Sequence, residues 1–364
     1  MSRYGLDNLP YGVFSEPGGS RRLGVRLGSR VVDLSPLGGL LAQPSLTPLL
    51  AAGRARWTAA RAAVIGFAAS APGIPLTGVT LHLPFEVADY TDFYSSQWHA
   101  LNVGEILRPD APGLPPHWRH LPIGYHGRSS TVVVSGTPVA RPAGQLGRGV
   151  FGPSRRLDVE AEVGFVVGTP GRRIPTSAFA DHVFGVVLVN DWSARDIQAW
   201  EYRPLGPFLA KSFATSVSPW VVPLEALATI DAPVQDPPPL DYLLPAGPGF
   251  DLRLSVDWNG TRVTNPPFAS MYWTAAQQLA HLTVNGATVR TGDLYASGTV
   301  SGPSRDEVGS FLELTRNGTE PVKLADGSLR GFLLDGDTVT IGGTAPGAGS
   351  NLIGLGEVTG TVVA

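Results

Sequence analysis

Residues 183–202 read VFGVVLVNDWSARDIQAWEY. The apolar run Val186–Val189 stops at Asn190-Asp191, and a polar segment follows at once. A helix from about Ser193 spaces Asp191, Arg195, Gln198 and Tyr202 at i, i+4, i+7 and i+11, along one face. A carboxylate, a guanidinium, an amide and a phenol are costly to bury without partners. The stretch therefore reads as an apolar element feeding a polar stripe, and the stripe as the wall of a site rather than core.

Outward from that stretch the chain is rich in strands. Residues 11–34 alternate short β-like runs with glycine turns, and the Ala- and Arg-rich segment 47–69 is the longest expected helix. Gly53 and Gly66 weaken it. Leu83-Pro84-Phe85 marks a candidate boundary, giving a small domain over 1–84 and a larger catalytic one over 85–364. Five prolines, at 109, 112, 115, 116 and 122, make residues 103–130 read as loop. Thr131–Val134 reads as a strand, and a helix is expected over Met271–Leu282. Asn259-Gly260, Asn285-Gly286, Asn317-Gly318 and Asp326-Gly327 lie between β-rich runs such as LRLSVDW, FLELTR and TVTIGG, a hairpin signal. The expected class is mostly β with some α, largely antiparallel, with no repeat of fixed period.

Composition narrows the function. With 43% hydrophobic and only 16% charged residues, the chain can bury a large core and is not disordered. A net charge of −3 without a Lys/Arg run argues against a nucleic acid or an anionic membrane as partner. There is no cysteine, which excludes disulfides and thiolate metal sites. MSRYGLDNLPYGVF is not a signal peptide, and no apolar stretch approaches the ~20 residues of a membrane helix. A cytoplasmic location is expected. The Asn-Gly-Thr triplets at 259–261 and 317–319 then read as turns rather than glycosylation acceptors.

Three further segments carry chemical groups. In LDVEAEVGF (157–165), Glu160 and Glu162 share one strand face, and Val159, Ala161, Val163 and Phe165 the other. That pattern suits an antiparallel strand with one wet face, or a pair of metal ligands whose repulsion a cation relieves. DYTDFYSSQWH (89–99) mixes acids, phenols and an imidazole; Asp92 as a helix cap, Tyr94 as packing and His99 as a surface group are its plain readings. Lys211 stands among apolar neighbours in FLAKSFAT (208–215), either paired with an acid or snorkelling at a domain edge. His117, His120 and His126 do not have the spacing of a zinc site, and GGTAPGAGSN (342–351) lacks a phosphate-loop ending and reads as turns.

With those residues in view, the chain resembles the fumarylacetoacetase (fumarylacetoacetate hydrolase) family. YTDFYSS with HALNVG, LPIGYHGRSSTVVVSGTP, LDVEAEVGFVVG, NDWSARDIQAWEY, PLGPFLAKSFATSVSPWVVP, LYASGTVSGP and FLLDGDTV match in order from about Leu83 onward. The resemblance implies an SH3-like N-terminal β domain followed by a mixed β-roll/β-sandwich catalytic domain. It implies a metal site of Asp92, Glu160, Glu162 and Asp191 holding Ca²⁺ or Mg²⁺, hard cations that prefer oxygen, with Lys211 and Thr215 flanking it. His99 matches the general base and Glu313 the carboxylate that orients it. Arg195, Gln198 and Lys211 match groups that stabilise charge on the reacting carbonyl. Tyr94, Arg108, Tyr125, Gln198, Tyr202 and Thr299 match substrate contacts. Ala214, where the family often has Gly, is a departure that removes no ligand. The implied reaction is carbon–carbon hydrolysis of 4-fumarylacetoacetate to fumarate and acetoacetate, the last step of tyrosine and phenylalanine catabolism, by a homodimer. Rival readings are an acylpyruvate hydrolase, an oxo-acid decarboxylase or hydratase of the same superfamily, or a non-catalytic calcium-binding β module.

Overall fold

The computed structural model describes residues 2–108, 110, 113–349 and 351–364. Pro109 and Pro112 of the proline-rich segment, and Ser350 of the glycine-rich run, lie outside the described residues. Alternating apolar residues over Ala161–Val167 and the nearly all-apolar run of Val183–Asp191 make the two strands at the centre of an eight-stranded sheet. They pair antiparallel, with Ala161 opposite Asn190 and Glu162 opposite Val189. Outward on one side come Leu294–Ala296, Tyr90–Phe93 and Gly124–His126, and on the other Thr215–Val217 and Val132–Val134. Tyr90–Phe93 pairs parallel to Leu294–Ala296, and Val132–Val134 parallel to Thr215–Val217, so the sheet is mixed although most pairs are antiparallel.

Strand alternation gives this sheet two distinct faces. One carries Val159, Ala161, Val163, Phe165 and Leu188 into the main core, against a second sheet built from Arg253–Trp258 and the long hairpin Thr338–Pro346 and Leu352–Val363. Leu254, Val256, Trp258, Ile341 and Val358 come from that partner. The opposite face changes character along its length. Val166, Val187, Val189, Leu294 and Tyr90 pack against Leu23, Val25, Trp57 and Val64 of the N-terminal region. Further along the same strands come Glu162, Asp191 and Asp92, with Glu160 just beyond. Burial of an apolar patch at one end thus places an acidic cluster at the other.

The N-terminal region is a five-stranded antiparallel sheet, in the order Ile74–Pro75, Arg30–Asp33, Arg22–Leu27, Tyr11–Ser15 and Thr80–His82. Its helical segment is split in two, Thr47–Leu50 and Arg54–Ala68, at Gly53, whose φ of 81° takes it out of the helical region.

Several expectations change. Asp191 ends a strand, and the helix is Arg195–Glu201, so Asp191 is not on the helical face. A short Ser193–Ala194 strand pairing with Leu157–Asp158 delays the helix. Residues 97–107 are a helix capped by Ser96, so the loop begins only after Leu107. Ser96 supplies the cap that Asp92 does not. The Glu160/Glu162 face is not wet, since both acids are buried. Of the four Asn/Asp-Gly pairs, Asn259-Gly260 makes a two-residue hairpin and Asp326-Gly327 a longer one. Asn285-Gly286 and Asn317-Gly318 instead follow helices, where positive φ ends the turn. The expected helix over 271–282 forms as Ala275–Thr283, behind a Thr274/Gln277 capping box.

Gly298 leads the chain from the sheet into Thr299, at a φ of 78°. A Cβ there would meet the Phe93 carbonyl oxygen at 2.1 Å. Gly298→Ala is therefore expected to destabilise the protein by about 1–3 kcal/mol, combining left-handed strain with displaced backbone. An unchanged urea midpoint would contradict this placement.

Candidate active site

Asp92, Glu160, Glu162 and Asp191 each place a carboxylate oxygen within 4.8 Å of the others. All four are buried. Asp92 is brought level with Ala296, which pairs with Gly164, so the strands of Asp92, Glu162 and Asp191, with Leu294–Ala296 between the first two, supply acids from one face. Asp191 accepts from Tyr125 Oη at 3.0 Å, Thr215 Oγ1 at 3.1 Å and Lys211 Nζ at 2.8 Å. Lys211 also donates to Glu160 Oε2. Arg195 Nη2 lies 2.7 Å from Glu160 Oε1, as an ion-pair contact without hydrogen-bond alignment.

Four carboxylates faced by Lys211 and by an Arg195 that also pairs with the buried Asp158 leave at least two negative charges uncompensated when all are ionised. Both oxygens of Glu162, and Oδ1 of Asp92, are inaccessible and have no hydrogen-bond partner among the described residues. Such orphans are costly, and an all-oxygen set of this kind fits a divalent cation. Titration behaviour has the same origin. Burial, then the Asp191 charge, pushes Asp92 well above the usual carboxylate range; burial, then Asp92, does the same for Glu162. Asp191 is raised by burial, with the Glu160 charge adding to it, despite the opposing Lys211 and the Tyr125 hydrogen bond. Glu160 goes the other way: burial opposes its charge, but Lys211, Arg195 and His99 outweigh burial and hold it below the usual range. Lys211 is raised in turn, against burial, by Asp191 and Glu160.

Beside the cluster stands a second unit. His99 lies in the first turn of the Gln97–Leu107 helix, and its Nδ1 is 2.7 Å from Glu313 Oε2. Glu313 also accepts from Ser310 Oγ at 2.7 Å, Ser301 Oγ at 3.1 Å and Asn102 Nδ2 at 2.8 Å. Against the cost of burial, His99 and these donors hold Glu313 below the usual carboxylate range. With Nδ1 engaged, the Nε2 of His99 faces the cleft, 3.8 Å from Glu160 Oε1. Neither His99 nor Lys211 takes its surface reading, since both are buried.

These groups open on a cleft of about 480 Å³, a size suited to a small molecule. Arg195, Gln198 and Tyr202 line it, so the polar stripe does form a site wall. Arg195 Nη1 donates to Gln198 Oε1 at 3.0 Å. Tyr94, Arg108, Tyr125 and Thr299 line it too, and the Thr299 hydroxyl has no partner among the described residues. Thr215 touches the site through Asp191, and Ala214 is core. His117, read as a plain histidine, also reaches the cleft lining. Asp158, Asn102, Ser301 and Ser310 were not anticipated. Asn102 follows His99 by one helical turn, and Ser310 begins an S-x-x-E capping pattern ending at Glu313.

The chain is similar to known proteins along its length. Residues 90–363 match the family model "Fumarylacetoacetate (FAA) hydrolase C-terminal", and residues 7–84 match "Fumarylacetoacetase N-terminal". The chain is 46% identical to fumarylacetoacetase of Homo sapiens, covering 100% of this chain and 96% of that protein. It is 43% identical to that of Arabidopsis thaliana, with the same coverage. Among solved structures, fumarylacetoacetate hydrolase from Exiguobacterium antarcticum aligns with a TM-score of 0.63 at 19% identity, covering 98% of this chain and 99% of that one. Maleylpyruvate hydrolase from Sphingobium, solved with manganese(II) and pyruvate, aligns at 0.60 and 19%, with the same coverage. At those identities the two structures speak for the fold alone.

Asp92, Glu162 and Asp191 hold protons more tightly in the fold than in the unfolded chain. From their unfolded values near ~4 upward, the metal-free protein therefore loses stability as pH rises through the raised values. Glu160 and Glu313 oppose this only in acid, where their contribution disappears. A divalent cation needs the ionised ligands, so its thermal stabilisation is expected to be larger at pH 8 than at pH 5. Equal shifts at the two pH values, or a full shift in Glu162→Gln, would contradict the cluster as its binding site.

Proposed function

The chain belongs to the fumarylacetoacetate hydrolase family, and from that membership we propose how its cleft performs the reaction. The enzyme hydrolyses 4-fumarylacetoacetate to fumarate and acetoacetate, the last step of tyrosine and phenylalanine breakdown. The observation that carries the mechanism is the His99–Glu313 pair beside the acidic cluster. Asp92, Glu160, Glu162 and Asp191 would hold a divalent cation, which we take to be Ca²⁺ or Mg²⁺; when bound it would supply Lewis-acid polarisation of the diketone and offset the negative charge of the leaving group.

Glu313 accepts the Nδ1 proton of His99 and so leaves Nε2 as the basic atom. His99 Nε2 removes a proton from water, and the oxygen attacks the carbonyl carbon on the fumaryl side. Glu160, 3.8 Å away, stabilises the imidazolium that forms. The tetrahedral alkoxide meets Arg195 Nη2, Lys211 and the Gln198 amide, donors of a kind worth ~3–4 kcal/mol when well placed. Collapse forms the fumarate carboxyl group and breaks the carbon–carbon bond. The electron pair goes to the acetoacetate carbon, which takes up the proton His99 carries. Arg108, Tyr94, Tyr125, Tyr202 and Thr299 orient the substrate's polar ends.

Three wider assignments belong to the same proposal. The first is a division at residue 84 into an SH3-like domain and a catalytic one, supported by family matches that part between 84 and 90. The second is a homodimer. It is supported by Phe151, Trp200, Leu205 and Phe208, exposed apolar residues in and beside the Arg195–Glu201 helix, of the kind that marks an interaction surface when contiguous. The third is a cytoplasmic location, consistent with a dianionic substrate that does not cross a bilayer unaided. No helix among the described residues is long and apolar enough to span a membrane.

Loss of the base is expected to show directly. His99→Ala lowers kcat for fumarylacetoacetate by at least ~100-fold with the fold intact, read by absorbance loss and circular dichroism. Wild-type turnover would exclude the role. Leu205→Glu with Phe208→Glu is expected to convert a two-chain species to single chains in analytical ultracentrifugation; an unchanged mass would place the interface elsewhere.

A further inference from the structure

Asp158 is wholly inaccessible and ends the short strand Leu157–Asp158. Its Oδ1 accepts from the backbone N–H groups of Val159 and Phe311, each at 2.8 Å. Its Oδ2 accepts from the Leu312 N–H at 3.0 Å and from Arg195 Nε at 2.8 Å. Phe311 and Leu312 open the helical turn Phe311–Leu314, which presents Glu313 to His99. One carboxylate therefore holds Arg195 with one oxygen and, with both, the frame that carries Glu313.

The consequence for Arg195 is geometric. Asp158 fixes Nε, Gln198 fixes Nη1, and the guanidinium is planar, so the direction of Nη2 is determined. Nη2 is the nitrogen left without an aligned acceptor, next to Glu160 in the cleft. Asp158 itself does not line the cleft.

We propose that Asp158 is a positioning residue for this reaction. It aims the Nη2 of Arg195 and sets the place of the Glu313–His99 pair at the same time, keeping the charge-stabilising group and the base in register across the cleft. The inference rests on the roles given above to Arg195 and His99. A carboxylate with four donors has no substitute among neutral side chains. An amide in its place presents one oxygen and one NH₂, so two of the four donors lose their acceptor.

The test is a kinetic cycle. Asp158→Asn is expected to lower kcat by roughly 10- to 100-fold with KM changed less than about threefold, the signature of misplaced groups rather than lost substrate binding. In an Arg195→Ala background the same change is expected to cost less, because one of its two routes of action is already gone and only the Glu313–His99 route remains. Wild-type kcat in Asp158→Asn, or a loss that multiplies in full on Arg195→Ala, overturns the proposal. If Asp158→Asn does not fold, Asp158→Glu decides, since it keeps the charge and moves it by one methylene. The same kcat-selective loss is expected there, and wild-type kcat overturns the inference. Wild-type turnover in Arg195→Ala alone would instead remove the mechanistic reading on which it rests.

Discussion

Four buried carboxylates each place an oxygen within 4.8 Å of the others, at the floor of the cleft and in the company of two fixed cations. Coulomb repulsion at that range, in a medium far less polarisable than water, is too large to leave standing. The protein answers it unevenly. Glu160 is paired with Lys211 and Arg195 and stays ionised, whereas Glu162 and one oxygen of Asp92 have no partner. That asymmetry suits the site to a doubly charged ion, because the unpaired acids are the ones an ion must satisfy.

The sheet makes this possible. The face that carries the acids is, one or two residue pairs further along, the face that buries Val166, Val187 and Val189 under the N-terminal region. The apolar end anchors the strands and the acidic end inherits their rigidity. The opposite face is covered throughout by the main core, so the carboxylates cannot retreat into solvent by bending the sheet. His99 arrives separately, on the helix capped by Ser96, and is held beside the cluster by Glu313, which the Phe311–Leu314 turn brings up behind it.

Much of this was legible in the sequence, and the gaps have physical causes. Period-2 alternation in LDVEAEVGF gave the strand and the shared face of its two acids, but alternation does not distinguish water from a buried polar interior. Arg195, Gln198 and Tyr202 of the polar stripe after Val189 line the cleft, whereas Asp191 belongs to the preceding strand. The stripe's helix starts two residues later than the spacing suggested, because Ser193 and Ala194 find a strand partner in Leu157 and Asp158. Proline density hid the helix that bears His99, whose last turn runs into the proline-rich segment. Pairing His99 with Glu313, 214 positions apart, came only through family resemblance; no local pattern carries it. Asp158 was missed for a related reason: its partners are backbone amides from a distant turn, which leave no trace in side-chain spacing.

The central claim is that a divalent ion lies among Asp92, Glu160, Glu162 and Asp191, within reach of the His99 imidazole. Anomalous X-ray scattering from crystals soaked in Mn²⁺ tests it most directly. The account predicts one dominant peak at coordination distance from oxygens of all four acids. A protein that diffracts well yet shows no peak there, or binds the ion elsewhere, would contradict it.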